Sequence, residues 1–517
     1  MVKLSQIQTY PRVDIDFTPQ IPPLKKVKDK TKINVRYALI APFSYVHIYW
    51  DPKTYEMIYK IEEPILNDQE HLYRDQIIYA MRDLINFETL VGDSQDALLE
   101  YIDKRFKLLA TELNIDMPYE SYKKIFYYLV RDFAGFNETE PLLKDYFVED
   151  IECNGLDTPV YVVHRIYRNL KTNLVFKDVE KLAGFVEKLA QRAGKYISYA
   201  NPILDGSLPD GSRVNATYTK DITSRGPTFT IRKFTSTPWT PIQLIAFKTL
   251  SPEMLAYIWL ALEYGLNFLI VGGTASGKTT LLNAISFFIP PESRVVSIED
   301  TRELNLSRDN WLPSVVRSAT SIGGVGEIDL FTLLRASFRQ NPDYVIVGEV
   351  RGKEASVLFQ GMASGHSSIS TMHADSVDTV IKRLETPPIE LSPSLLNVLD
   401  GVFIMTHAVV NKQETRKLRE IVEIVDVTEE GTAVTNTPFV WNAGEDQFYF
   451  KKTSKVFEKV SKRYGISLED INLEFKKRSQ LLYILYQKKI FRFEEVQKII
   501  NEYYKRPEEI LKRFGVQ

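Results

Sequence analysis

The chain has 517 residues, of which 44% are hydrophobic and 26% are charged, and its formal net charge is −2. This length predicts roughly three domains, and the near-neutral charge argues against a protein that binds nucleic acid through bulk positive charge. The single cysteine, Cys153, excludes an internal disulfide and a tetra-cysteine zinc cluster, and it is consistent with a reducing cytoplasm.

The N-terminal segment is polar. Residues 1–36 lack the apolar core of a signal peptide, and no stretch reaches the ~18 apolar residues of a membrane span, so any membrane role is expected to be peripheral. Residues 25–36 form a basic arm, which is either a solvated tail or a contact for anionic lipid or an acidic partner. Its charged residues are Lys25, Lys26, Lys28, Lys30, Lys32 and Arg36, offset by Asp29.

Two domains are predicted before residue 238. In the first, strand-like segments at 44–50 and 55–61 flank a turn and predict a hairpin, and apolar spacing predicts helices, the last at 119–133. We therefore expect an accessory α+β domain with its arm at 1–135. A second α+β domain at 136–237 has strand patterns around a helix at 179–193, and a proline-punctuated linker at 238–250 follows it.

The third predicted domain spans residues 251–517. Ser251 is a good N-cap for a helix that ends near Gly265, and an apolar strand follows at 267–271. Strand and helix patterns then alternate to about residue 406, which indicates a parallel α/β sheet. Further strands and a set of helices from about residue 454 complete this region.

A phosphate-binding loop follows the apolar strand and matches G-x-x-x-x-G-K-[ST] at every fixed position. Glycines let backbone N–H groups converge on phosphate oxygens, Lys278 is predicted to reach the β- and γ-phosphates, and the Thr279 hydroxyl is predicted to bind Mg²⁺. The predicted ligands are therefore ATP and Mg²⁺. The predicted nucleotide-binding residues are Gly272, Gly273, Thr274, Ala275, Ser276, Gly277, Lys278, Thr279 and Thr280.

Further segments supply candidate catalytic groups. Glu299 and Asp300 end an apolar strand, where carboxylates point into the ligand crevice of such sheets. Glu349 ends another and is predicted to orient or deprotonate the attacking water, or to hold Mg²⁺ through water. His366 and His373 lie seven positions apart, and His373 is a candidate sensor of the γ-phosphate.

These four motifs, in this order, resemble the secretion ATPase superfamily, which includes the motors of type II and type IV secretion, type IV pili and the archaellum. The segments at 140–155, 208–215 and 230–234 resemble its N-terminal domain. The resemblance implies an α/β fold: a RecA-like P-loop domain preceded by a PAS-like α+β domain, with the accessory α+β region before both. The missing tetra-cysteine element favours the archaeal branch or the compact retraction-type motors, and the long N-terminal region and the C-terminal strands and helices favour the archaeal branch.

The same resemblance implies roles for arginines of the N-terminal domain. Arg213, Arg225 and Arg232 match regions that approach the nucleotide across a domain or subunit boundary, where a cation stabilises the transferring phosphoryl group. Arg317, Arg335 and Arg339 are lower-ranked candidates in the catalytic domain.

The implied function is a homohexameric ATPase motor that drives assembly of an archaeal type IV pilus-like filament, or secretion, through a polytopic membrane platform protein and, indirectly, pilin-like subunits. The expected location is cytoplasmic, at the inner face of the membrane. Three alternatives stay open at this point: an archaellum assembly or rotation motor, a nucleic-acid translocase, and a small-molecule kinase or regulatory ATPase without force generation. The charge balance counts against nucleic acid as a partner.

Overall fold

Two mixed sheets organise the protein. The computed structural model describes residues 10–22, 24, 27, 29–82, 95–234, 237–317, 326–410, 413–451 and 453–516. The chain divides into two units, Met1–Phe234 and Thr235–Gln517, and each contains one of the sheets. The α/β fold class expected from the sequence is confirmed.

The first unit has a largely antiparallel sheet in the order β1-β2-β3-β6-β5-β4-β9-β8-β7, in which only the β3–β6 contact is parallel among the described strands. Its strands are β1 (Asn34–Ile40), β2 (Ser44–Asp51), β3 (Glu56–Glu62), β4 (Val148–Cys153), β5 (Pro159–His164), β6 (Arg168–Val175), β7 (Ile203–Ser207), β8 (Arg213–Thr217) and β9 (Thr228–Arg232). Its helices are α1 (Asp68–Arg82), α2 (Gln95–Glu112), α3 (Tyr119–Leu129), α4 (Glu140–Lys144) and α5 (Val179–Arg192).

The sheet runs through the position near residue 135 where the sequence places a domain boundary. The predicted hairpin is confirmed as β2 and β3, and β3 then pairs with β6 from the far side of that boundary. A buried carboxylate fastens the same junction, because the hydroxyls of Tyr37 and Tyr59 donate to Asp145 Oδ2 at 2.8 and 2.7 Å. The described residues on both sides of that position therefore share one sheet and one hydrophobic core.

Part of the predicted basic arm is described. Lys30 and Lys32 lie in a short 3₁₀ turn, and Lys32 pairs with Asp29. Arg36 belongs to β1, where it donates to Glu62 at 2.7 Å. Lys25, Lys26 and Lys28 lie outside the described residues.

The second unit has the strand order β12-β11-β13-β14-β10-β15-β16-β17-β18. Its strands are β10 (Phe268–Val271), β11 (Val295–Glu299), β12 (Trp311–Val315), β13 (Tyr344–Val347), β14 (Ser367–Met372), β15 (Gly401–Val410), β16 (Gln413–Val427), β17 (Ala433–Asn442) and β18 (Gln447–Phe450). Its helices are α6 (Pro241–Ala246), α7 (Pro252–Glu263), α8 (Lys278–Ile285), α9 (Leu330–Ser337), α10 (Glu354–Ala363), α11 (Val377–Glu385), α12 (Pro393–Leu396), α13 (Lys455–Tyr464), α14 (Leu468–Gln487), α15 (Phe493–Lys505) and α16 (Pro507–Phe514).

The strands from β12 to β15 run parallel, as predicted, and β15 to β18 continue as an antiparallel meander. The central strands β10 and β13 are buried at every position, because helices cover both faces of a parallel sheet. The carboxyl ends of the parallel strands meet at one edge, so the loops that follow β10, β11, β13 and β14 are neighbours.

The predicted linker at 238–250 contains α6, whose first turn is closed by a capping box at Thr240. The C-terminal helices are continuous with the core of the same unit. Arg478 of α14 stacks on Trp259 of α7 and pairs with Glu263 at 2.5 Å. Within the described residues, no helix is both long enough and apolar enough to cross a bilayer.

Candidate nucleotide site

The P-loop joins β10 to α8 and closes around the ammonium group of Lys278. Lys278 Nζ donates to the carbonyls of Gly272 and Gly273 at 3.1 and 3.0 Å. Gly277 caps α8 with a φ of 94°, a left-handed conformation that favours glycine. A Cβ at Gly272 would lie 2.5 Å from the carbonyl oxygen of Met405, so no larger residue fits there without movement. The loop is thus a tight backbone cradle at a helix N-terminus.

His373 links this loop to the predicted catalytic carboxylate. β14 lies between β10 and β13, so the residue that follows β14 reaches both neighbouring loops. His373 Nδ1 is 3.4 Å from Lys278 Nζ, and His373 Nε2 is 3.2 Å from Glu349 Oε1. Because an ammonium group only donates, Nδ1 must be the acceptor and the imidazole proton must sit on Nε2, facing Glu349.

Burial and neighbouring charges shift the pKa values of His373, Lys278 and Glu349. Burial and the charge of Lys278 lower the pKa of His373, and burial lowers the pKa of Lys278 despite the nearby Glu349. Burial of Glu349 opposes its ionisation, but the hydrogen bond and charge of Arg351 outweigh that effect and lower its pKa. A neutral His373 between a charged lysine and an ionised Glu349 is the expected state near pH 7.

Of the two carboxylates that end β11, Glu299 is buried and Asp300 is exposed. Glu299 is 2% exposed. Its Oε1 accepts from the backbone N–H groups of Glu303 and Leu304 at 2.9 and 3.0 Å. Burial raises the pKa of Glu299 to about 7. Asp300 is exposed and, with Arg317 and Lys353, lines an adjoining cavity of about 540 Å³.

The donor set fits Mg²⁺ held partly by phosphate oxygens. Glu299 Oε2 is buried and accepts no hydrogen bond within the described residues, and buried Glu349 Oε1 has only the contact with His373 Nε2 at 3.2 Å. The described residues contain no group of three or more His, Cys, Asp or Glu side chains that could hold a metal by themselves. Mg²⁺ commonly binds through one or two protein oxygens together with substrate phosphates, and Thr279 and Glu349 meet that requirement.

Some residues that shape the site were missed by sequence reasoning. Arg351 donates to Glu349 Oε2 at 2.6 Å, and Glu354 accepts from the backbone N–H groups of Arg351 and Gly352 at 2.6 and 2.7 Å. Arg351 and Glu354 follow Glu349 closely in the sequence, so their charges could have indicated from sequence alone that they contact the site. Arg416, which donates to the carbonyl of Ala275 at 3.0 Å, comes from β16, and no local pattern indicates that contact.

The structure separates the two histidines of the predicted box. His366 precedes β14 and His373 follows it, so the two lie at opposite ends of the strand, about 23 Å apart at about 3.3 Å per residue. His366 lies 3.3 Å from the carbonyl of Gly361 and packs against the ring of Phe338. Within this chain, His366 is therefore not part of the group around Lys278.

The arginine candidates of the first unit lie on neighbouring elements. Arg213 on β8 is opposite Arg232 on β9, and Arg213 pairs with Asp205 at 3.1 Å. Arg225 is exposed, and its carbonyl accepts from the N–H of Leu156 at 2.8 Å. All three stay candidates for contact across a boundary.

The remaining candidates lie in the second unit. Arg317 donates to the carbonyl of Gly326 at 2.6 Å, Arg335 lies over the ring of Phe331, and Arg339 is exposed. None of these contacts is with the P-loop.

Comparisons with known proteins find similarity to secretion system proteins. Residues 156–437 match the family model described as type II/IV secretion system protein. An uncharacterised protein of Methanocaldococcus jannaschii is 34% identical over 96% of this chain and 93% of its own length. The type IV secretion system protein PtlH of Bordetella pertussis is 36% identical over 35% of this chain and 60% of its own length. The solved structure of the ATPase DotB from Legionella pneumophila covers 69% of this chain and 92% of its own, with 16% identity and a TM-score of 0.39.

Proposed function

The chain belongs to the type II/IV secretion system protein family of ATPases, and we propose that it is the ring-forming, ATP-hydrolysing motor of an archaeal type IV pilus-like filament or a related secretion machine. Its closely related alternative is the archaellum motor. The relative from an archaeon, similar along nearly the whole chain, supports the archaeal assignment.

One observation carries the catalytic part of the proposal: His373 lies between the P-loop lysine and Glu349, within 3.4 Å of the first and 3.2 Å of the second. If the loop were only a glycine turn with an incidental lysine, one histidine would not be expected to contact both that lysine and a carboxylate that follows another strand. A site for phosphoryl transfer to water requires this combination of a phosphate cradle, a cation and an ionised carboxylate.

In the proposed reaction, the P-loop N–H groups and Lys278 would bind the phosphates of ATP, and Thr279 would hold Mg²⁺, with Glu349 reaching the ion through water. The metal ion supplies positive charge that offsets the charge developing on the transferring phosphoryl group. Glu349 orients the attacking water and accepts its proton, which its lowered pKa permits at neutral pH. His373 reports the state of the nucleotide, because any ligand that moves Lys278 also changes the contact with its ring.

The proposed assembly is a homohexamer at the inner face of the membrane. Arg213, Arg225 and Arg232 would add transition-state charge on closure, and the segment at 235–250 would serve as the hinge. The ring would act on a polytopic platform protein that lifts pilin-like subunits from the bilayer.

The test compares wild type with Glu349→Gln, which keeps the shape of the side chain and removes the base. ATP hydrolysis and particle mass are measured with and without nucleotide. Glu430→Gln is the matched control, since Glu430 is an exposed glutamate in a turn.

We expect nucleotide-promoted hexamers for all three proteins. Hydrolysis should fall about 100-fold or more in Glu349→Gln and stay unchanged in Glu430→Gln. Full activity in Glu349→Gln would exclude that carboxylate as the base. A persistent monomer under every nucleotide condition would exclude the ring motor.

A further inference from the structure

A side chain of β16, Arg416, contacts the P-loop. Arg416 lies 141 positions after Ala275, and its Nε donates to the carbonyl oxygen of Ala275 at 3.0 Å. Its aliphatic stem also lies on the loop, since a Cβ at Gly277 would come within 3.2 Å of Arg416 Cδ. One side chain therefore touches the loop at two points.

The contacted residue is conformationally unusual. Ala275 has a φ of 58°, in the left-handed region that side chains other than glycine rarely adopt. Such a conformation persists only where surrounding contacts hold it. The hydrogen bond from Arg416 is charge-assisted, which makes it one of the stronger kinds available for this purpose.

Because the peptide group is planar, the hydrogen bond from Arg416 also affects the direction of the Ser276 N–H group. The carbonyl of Ala275 and the N–H of Ser276 belong to one planar unit and point in opposite directions. Arg416 holds the carbonyl, and the N–H of Ser276 donates to the carbonyl of Gly273, at the start of the loop, at 3.4 Å. Fixing the oxygen therefore fixes the direction of an N–H group that a P-loop presents to phosphate.

The strand that carries Arg416 is itself anchored. Lys417 Nζ donates to the carbonyl of Lys248, and the N–H of Leu418 donates to the carbonyl of Thr249, both at 2.8 Å. Lys417 also pairs with Asp446 at 2.6 Å. The base of the Arg416 side chain is therefore held by the contacts of the next two residues.

We propose that Arg416 is a positioning residue of the nucleotide site, which holds the Ala275–Ser276 peptide so that its N–H group faces the phosphates. This inference rests on the proposed ATPase function. It assigns the role to the Nε–H donor at this position and not to direct contact of the guanidinium charge with the nucleotide.

Three substitutions separate the donor from the charge. Arg416→Gln places an amide nitrogen at the same distance along the side chain as Nε, so it keeps the donor without the charge. Arg416→Met keeps the length and removes the donor. Arg416→Lys keeps a positive charge but moves the donor nitrogen one atom further out than Nε. The exposed Lys451, changed to Gln and to Met, is the control pair.

The measurements are the ADP dissociation constant, kcat and KM for ATP, and the melting temperature without nucleotide. We expect Arg416→Gln to stay within about threefold of wild type. Arg416→Met should weaken ADP binding and raise KM by about tenfold, the cost of one charge-assisted hydrogen bond. The Lys451 variants should match wild type.

Equal values for Arg416→Met and wild type would overturn the proposal. So would a loss in Arg416→Gln as large as in Arg416→Met with recovery in Arg416→Lys, because that pattern means direct contact of the charge with the nucleotide. If wild type binds ADP but does not hydrolyse ATP, the motor function fails, and the ADP constants still decide the role of Arg416.

Discussion

Acid pH should destabilise the first unit through one buried histidine. His164 is fully buried, and its Nδ1 accepts from the backbone N–H groups of Ile166 and Tyr167 at 3.2 Å each. Its Nε2 is 3.4 Å from the hydroxyl of Tyr37, which itself donates to Asp145. A proton on Nδ1 would face two N–H groups, so the folded protein holds this ring neutral.

The size of the effect follows from the pKa. Burial lowers the pKa of His164 from its ordinary 6.5 to about 4, against the opposing charge of Asp145. Between these values the unfolded chain binds a proton that the folded protein does not. The contribution of His164 to the free energy of unfolding is therefore complete above pH 6.5. It falls as the pH drops, by about 1.4 kcal/mol per pH unit and about 3 kcal/mol in all by pH 4.

The assay uses Cys153, the only cysteine in the sequence, which is 2% exposed on β4 of the same unit. The full chain is equilibrated in urea at each pH and pulsed with a dithiodipyridine reagent, which reacts with thiols in acid. Labelling then reports unfolding of the first unit, and its urea dependence gives the free energy of unfolding.

His164→Asn supplies the comparison. The Asn Oδ1 replaces Nδ1 as the acceptor for the same two N–H groups, and the side chain does not titrate. The difference in unfolding free energy, wild type minus His164→Asn, should rise by about 3 kcal/mol from pH 4 to pH 7. The exposed His71, changed to Asn, should give a flat difference. A flat difference for His164→Asn, or an equal slope for His71→Asn, would refute the reasoning.

Two further predictions concern the P-loop unit. His373→Gln removes the ring between the lysine and Glu349, so kcat for ATP hydrolysis, measured by steady-state kinetics, should fall about tenfold or more with KM changed little. An unchanged kcat would show that His373 takes no part in catalysis. Gly272→Ala should lower the melting temperature without nucleotide, because its Cβ would meet a carbonyl oxygen at 2.5 Å, whereas Gly273→Ala, with no heavy atom within 4 Å of its Cβ, should not. Equal melting temperatures for the two alanine variants would contradict the packing argument.

Several features were predictable from sequence because they are local. The P-loop, the carboxylate that follows β13 and the Ser251 cap each depend on a few consecutive residues and the element that carries them. The same holds for the hairpin of β2 and β3, whose turn residues separate two strand patterns. The order of these motifs also pointed to the family that the comparisons confirm.

The sequence alone thus determined which chemical groups this protein has and in which family it belongs. Only the tertiary structure decided which of those groups meet. The insertion of β14 between β10 and β13 brings His373 to the P-loop and leaves His366 at the opposite end of the strand. The β3–β6 contact joins both halves of the first unit, and β16 brings Arg416 to Ala275. Strand pairing over such sequence distances is set by packing and sheet closure, which leave no periodic signal in the segments that they join.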